Sequence, residues 1–475
     1  MLFVSAAVAS LPNVAGAHSF GRMYNLPVPF WMYVYGASAA LLLSFLVAGW
    51  FLSVPAQHGA NADDRARWLD FGGAARALSV LKALSLLALA LCVATGLLGN
   101  ADPYRNFSMT CFWVVFVLGF AYLSALLGDL YALLNPWRLL ADTLARLWPA
   151  FTRGRVRYPQ RLAYWPALAL YLAFIWIELF AHTRPVSLAE WLIAYSLVNL
   201  LGVWLVGATD WFRHCEFFSV FLRLIARMAP LEIRDQRLRL RAPFAGLLEE
   251  PAEHLSLLVF LLFMLSSTAF DGLSATQTWF ELFWLDPTGV LQSWVGKPPV
   301  LAYPTLLPAY KAFATLCLLL SPFLYLAVYL AFVALAKLIA RSPRPLMELA
   351  LRFGYSLLPI VLVYNLTHYY TLILTQGVKI VSLLSDPFGW GWNLFGTAQL
   401  FRAPILPDMG LVWHSQVGLI LFGHIASVVV AHLEALRVFP TRRAALLSQL
   451  PMLALMVLFT AAGLWILAQP LQRGG

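Results

Sequence analysis

Five ionisable side chains stand inside or at the ends of apolar segments: Glu178, His182, Asp271, His368 and His424. Glu178 and His182 are four residues apart, a spacing that puts both on one face of a helix. Such a pair suits two ligands of one metal, or a carboxylate that orients an imidazole. Asp271 closes the run Ser266-Ser267-Thr268-Ala269-Phe270, and Asn365 and His368 are helical neighbours three apart. His414 precedes another apolar run, and His424 lies about 13 Å further in at a helical rise of roughly 1.5 Å per residue. Each has a bland alternative: Glu178 paired with Arg184, Asp271 capping a helix, His368 bonded to a backbone carbonyl. Ionisable groups within a membrane are functional candidates by default, and a set of imidazoles and carboxylates suits zinc, copper or iron. The expectation is a His and carboxylate metal site.

The elements that must position these groups are membrane helices. A chain of 475 residues with 61% hydrophobic and 11% charged residues, and a mean hydropathy of +0.76, is a polytopic membrane protein in contact with a lipid bilayer. Apolar runs of spanning length fall near 30–54, 78–99, 108–134, 163–181, 187–207, 253–270, 311–339, 346–374, 415–436 and 450–469. The predicted fold is an all-α bundle of about ten transmembrane helices. Loops 55–77, 135–162, 208–252, 337–352 and 437–443 hold 3, 6, 7, 4 and 3 Lys or Arg, which is 23 of the 32. The positive-inside rule therefore puts these loops in the cytoplasm and both termini outside, as expected for a bacterial inner membrane protein. The same rule accounts for the net charge of +10 without nucleic acid as a partner. Glu178, His182, Asp271, His368 and His424 then fall in the outer, periplasmic half. Cys92, Cys111, Cys215 and Cys317 form no CxxC pair and read as small apolar fillers.

Residues 1–17 end in Ala15-Gly16-Ala17 and fit a signal peptide, leaving 18–475 as a single membrane domain. Cleavage there would expose His18, whose α-amine and imidazole could chelate a metal such as copper; an ordinary loop histidine is the other reading.

Within 208–252, Phe217, Phe218, Phe221, Leu222, Leu224 and Ile225 recur at helical spacing, punctuated by Arg223 and Arg227, which predicts an amphipathic helix on the inner membrane surface. Leu231 to Arg241 alternates Arg with Leu and Ile, as a short hairpin or an anionic-lipid contact would. Loops 271–310 and 375–414 are aromatic, with Trp279, Phe280, Phe283, Trp284 and Trp294 in the first and Phe388, Trp390, Trp392, Phe395, Phe401 and Trp413 in the second. They read as an interfacial belt, or as a lid over an outward-facing pocket for an apolar substrate. His58, His214, His254 and His432, with Glu434, fall at the inner side and read as structural, and Asp129 belongs with Asn135 and Arg138. No phosphate-binding GxxxxGKS loop occurs.

The segments His18 to Trp31, Ser267 to Ser274, His368 to Gly377, Ser385 to Thr397, and Gln416 through His424 to His432 resemble a bacterial family of multi-pass proteins with members labelled fenitrothion hydrolase. The resemblance spans nearly the whole chain. It implies hydrolysis of a lipophilic phosphotriester or thiophosphotriester by a membrane enzyme with a second subunit. On that reading His182, His368 and His424 would be metal ligands, and Glu178 or Asp271 a ligand, a partner of a ligand or the general base. A metal-handling or redox membrane protein, for which His18 would serve equally well, is the alternative. A transporter has less in its favour, since no internal repeat or broken-helix pair is evident.

Overall fold

The computed structural model describes residues 28–52, 69–70, 75–234, 237–401, 403, 405 and 407–469. The signal segment 1–17, His18 and His58 lie outside the described residues. Thirteen of the described helices build the bundle and its site. They are α1 (Phe30–Phe51), α2 (Ala75–Leu98), α3 (Phe107–Leu127, π-helical over Thr110–Gly119), α4 (Pro136–Leu147), α5 (Trp165–Phe180), α6 (Pro185–Val206) and α7 (Phe217–Ala226). They continue with α8 (Leu255–Ser274), α9 (Tyr303–Ile339), α10 (Leu346–Gly354), α11 (Leu358–Thr375), α12 (Met409–Val438) and α13 (Arg442–Ala468). Among the described residues nine helical stretches are long and apolar enough to cross a membrane. The protein is an all-α polytopic bundle. The tenth expected span, α5, has 16 residues, about 24 Å at helical rise and shorter than a hydrocarbon core of about 30 Å.

α8 is the hub. Leu257 through Leu265 are at most 4% exposed, so this helix touches protein on every side, whereas α2 keeps most of its apolar surface outward. Away from the lipid-facing surface, close approach of helices rests on small residues. A Cβ added at Gly463 of α13 would sit 1.9 Å from the Tyr364 hydroxyl, and one at Gly423 of α12 would sit 2.3 Å from a Val363 methyl. These glycines let α11, α12 and α13 pack in contact.

The basic loops meet at one end. Arg442 donates to the Gly49 and Trp50 carbonyls at 2.6 and 2.9 Å, Arg437 donates to the Leu248 carbonyl, and Arg352 lies 3.4 Å from Glu434. At the other end the Asn100 amide donates to the Phe388 carbonyl at 2.8 Å, and Phe30 packs near Leu467. The start of the first described helix and the end of the last thus lie together, away from the basic loops.

One expectation is revised. α7 does not lie on a surface. Phe217, Phe218, Leu222, Leu224 and Ile225 are all at most 4% exposed, enclosed by α3, α5 and the segments around them. The periodicity that suggested an amphipathic helix reflects one polar edge, with Arg223 half-buried and Arg227 stacked 4.6 Å over the Tyr355 ring. The segment after it is the expected hairpin. β2 (Leu231–Arg234) pairs antiparallel with β3 (Arg237–Leu240), and β3 also pairs with β1 (Leu69–Asp70). Two of its arginines are engaged internally, Arg239 with Glu232 and Glu249 and Arg241 with Glu249 at 3.3 Å.

Candidate functional site

Asp271 points from the last turns of the central helix α8 toward α11. Its Oδ2 lies 2.9 Å from His368 Nε2 and accepts the Tyr369 hydroxyl at 2.7 Å. The Tyr369 hydroxyl is also 3.5 Å from Glu178 Oε1 of α5, so one phenol stands between two carboxylates. Asp271 is 6% exposed and Tyr369 is also 6% exposed, while His368 keeps a partly open edge. An ionised carboxylate only accepts hydrogen bonds, so the arrangement assigns the proton to His368 Nε2. Bonds of this kind, with one charged partner, contribute about 1.5–3 kcal/mol each.

Glu178, Asp271, Tyr369 and Asn365 line a cavity of about 40 Å³, whose other walls are Tyr171, Ser267 and Thr268 and the rings of Phe116, Phe174, Phe217, Phe218 and Phe221. At roughly 10–15 Å³ per water the space holds a few water molecules. An aryl ester does not fit without the walls parting. The π-helical stretch of α3 supplies Phe116, Val117 and Leu118, in keeping with the frequency of such irregular turns beside functional sites.

The five expected residues are only partly gathered. Glu178, Asp271 and His368 come together, and the helical neighbour Asn365 joins the cavity wall. His182 does not. α5 stops at Phe180, and His182 itself takes a left-handed conformation (φ 45°) before Arg184 and Pro185 open α6. The four-residue spacing therefore no longer means a shared helix face, and His182 is exposed. His424 is fully buried within α12, its Nδ1 2.8 Å from the Ile420 carbonyl and its ring edge-on to Tyr364 at 5.8 Å. Its Nε2 has no hydrogen-bond partner among the described residues. His414 lies inside α12 rather than before it, bonded to the Gly410 carbonyl at 2.7 Å.

Among the described residues no three His, Cys, Asp or Glu side chains converge as a metal site would require. Around Tyr369 stand one imidazole and two carboxylates, with His368 and Asp271 turned toward each other.

The aromatic loops do not roof the cavity; none of their aromatic side chains lines it. Trp279, Phe283 and Trp284 are buried against α9, with Trp279 stacked on Phe313 at 5.4 Å and Trp284 tilted against Tyr303 at 4.9 Å. Trp294, Trp390 and Phe395 are exposed, as an interfacial belt requires.

Sequence reasoning missed Tyr369, whose adjacency to His368 was its only signal. It also missed Glu216, buried at the start of α7. Glu216 accepts the Phe218 and Ser219 amides at 3.1 and 2.7 Å, the Tyr195 hydroxyl, and Asn135 Nδ2 at 3.3 Å. This carboxylate holds the enclosed helix in place by capping it.

Comparison with known proteins finds no match: no family model fits the chain, and no curated protein or solved structure aligns with it. Fold and site together define a multi-pass membrane protein with a buried acidic cluster beside a water-sized cavity.

Proposed function

We propose that the chain is a membrane-embedded hydrolase, or the principal subunit of one, acting on lipophilic organophosphorus triesters at the periplasmic face of a bacterial inner membrane. One observation supports it above the others. Glu178 and Asp271 bracket the Tyr369 hydroxyl on the wall of a cavity with room for water and little else. A carboxylate facing space for a water molecule is the arrangement that general-base hydrolysis needs. Glu178 takes a proton from that water, the oxygen attacks phosphorus, and the bond from phosphorus to the aryl oxygen breaks. The proton on Glu178 then passes to the departing aryl oxide. Asp271, held by His368 and Tyr369, fixes the phenol that faces the incoming phosphoryl group. A triester dissolved in the lipid reaches the cavity by parting its aromatic walls, which belong to α3, α5 and the short enclosed α7.

The position of the cluster at the end away from the basic loops supports the periplasmic assignment. The test is hydrolysis of an aryl dialkyl phosphotriester by membranes carrying the wild-type chain or Glu178→Gln, alongside metal analysis of the purified protein. Activity lost in Glu178→Gln supports the reading. Bound metal with no hydrolysis replaces it with metal handling.

A further inference from the structure

A second cavity, of about 220 Å³, opens at the basic end of the bundle, far larger than the roughly 10–15 Å³ one water needs. Three guanidinium groups line it, Arg138 from α4, Arg213 from the turn before α7, and Arg223 from α7, together with Asn135 and Ser219. Asp129 is the one carboxylate among the described residues of its wall, so three positive groups face one negative group. Their attachments leave donors over. Arg138 stacks on the Phe212 ring at 5.9 Å, and Arg223 spends an Nη2 proton on the Arg213 carbonyl at 2.7 Å. Arg213 shares its charge with Glu253 at 3.2 Å on an exposed edge, where such pairing is weak. Glu216 lies behind the floor, and its oxygens are taken by Tyr195, Asn135, Ser219 and the amides of α7. The cavity is therefore cationic, roomy, and built on the same capped helix that closes the outer cluster from below.

We propose that this cavity binds a phosphate monoester group, with Arg138 and Arg223 as its principal donors. Guanidinium forks match phosphate oxygens in pairs, and a monoester carries about −1.5 to −2 charge near neutral pH, which complements a wall that presents three arginines and one carboxylate. The phosphate could belong to a lipid headgroup such as that of phosphatidic acid or to a soluble molecule, and the experiment separates the two. The site does not depend on the hydrolase reading.

The full-length protein in detergent is titrated in one arm with inorganic phosphate and in a second with short-chain phosphatidic acid in mixed micelles. The expected result is saturable binding in at least one arm. Arg138→Gln, an exposed side chain whose loss spares the core, weakens it at least tenfold. Asp129→Asn, which keeps the cap on Ala132 while removing the opposing charge, tightens it. Binding of phosphatidic acid alone assigns a lipid headgroup, and binding of inorganic phosphate assigns a soluble ligand. Binding of neither probe, binding unchanged by Arg138→Gln, or weaker binding in Asp129→Asn overturns the proposal.

Discussion

His368 Nε2 and Asp271 Oδ2 stand 2.9 Å apart although 97 residues separate them in sequence, and their contact fastens α11 to the central helix α8 beside the cavity. Both partners are largely enclosed by protein, so their bond sets the position of Tyr369 and, through it, the spacing to Glu178.

The Asp271 carboxylate is held by His368 and Tyr369, so losing either donor costs stability as well as activity. Tyr369→Phe leaves it one donor short in a buried site, an expected loss of about 1–3 kcal/mol. Thermal unfolding in detergent checks it, and an unchanged midpoint would mean that the hydroxyl contributes nothing to holding the cluster.

His424 is expected to be structural rather than a metal ligand. Its ring is buried in α12, away from any convergent donors among the described residues. His424→Ala should leave metal content unchanged while lowering stability by emptying a packed site. A drop in bound metal would restore His424 to a ligand set.

Gly463→Ala tests the close packing beneath the site. The new methyl would meet the Tyr364 hydroxyl, which donates to the Phe459 carbonyl, so the ring must move or the helices must separate. Overpacking of this kind typically costs about 1–3 kcal/mol. Gly418→Ala on α12, where nothing lies within 4 Å of the new Cβ, is the control expected to be near neutral.

At the basic end, burial and the neighbouring Arg213 charge hold the His214 imidazole below its ordinary range. A histidine with a depressed folded value binds fewer protons than in the unfolded chain. Its contribution is therefore present above the unfolded value of about 6.5 and is lost as pH falls through the folded one. His214 stacks face to face on Tyr158 at 5.2 Å. His214→Phe keeps the stacking and should flatten the acid limb of a plot of unfolding temperature against pH. An identical limb in the variant assigns the pH dependence elsewhere.

Much of the fold was legible in the chain because bilayer crossing demands long apolar runs, and these mark the helices and the ends where basic residues gather. Glu178, Asp271 and His368 were legible for a related reason, since few ionisable groups occur near apolar segments of this kind. His182 was misplaced because four-residue spacing implies a shared face only while the helix continues, and Pro185 restarts the chain just beyond it. α7 was misplaced because helical periodicity reports a polar edge but not whether protein or lipid covers the rest. Glu216 gave no signal, since its role depends on Tyr195 and Asn135 arriving from other helices.

The most direct test is triester hydrolysis in ¹⁸O-water by host membranes, where any partner subunit is present, comparing the wild type with Glu178→Gln and Asp271→Asn. The account predicts one labelled oxygen in the diester product and a loss of activity on the order of 10²–10⁴ in Glu178→Gln, the usual contribution of a general base. No hydrolysis in the wild type, or full activity in both variants, would contradict it.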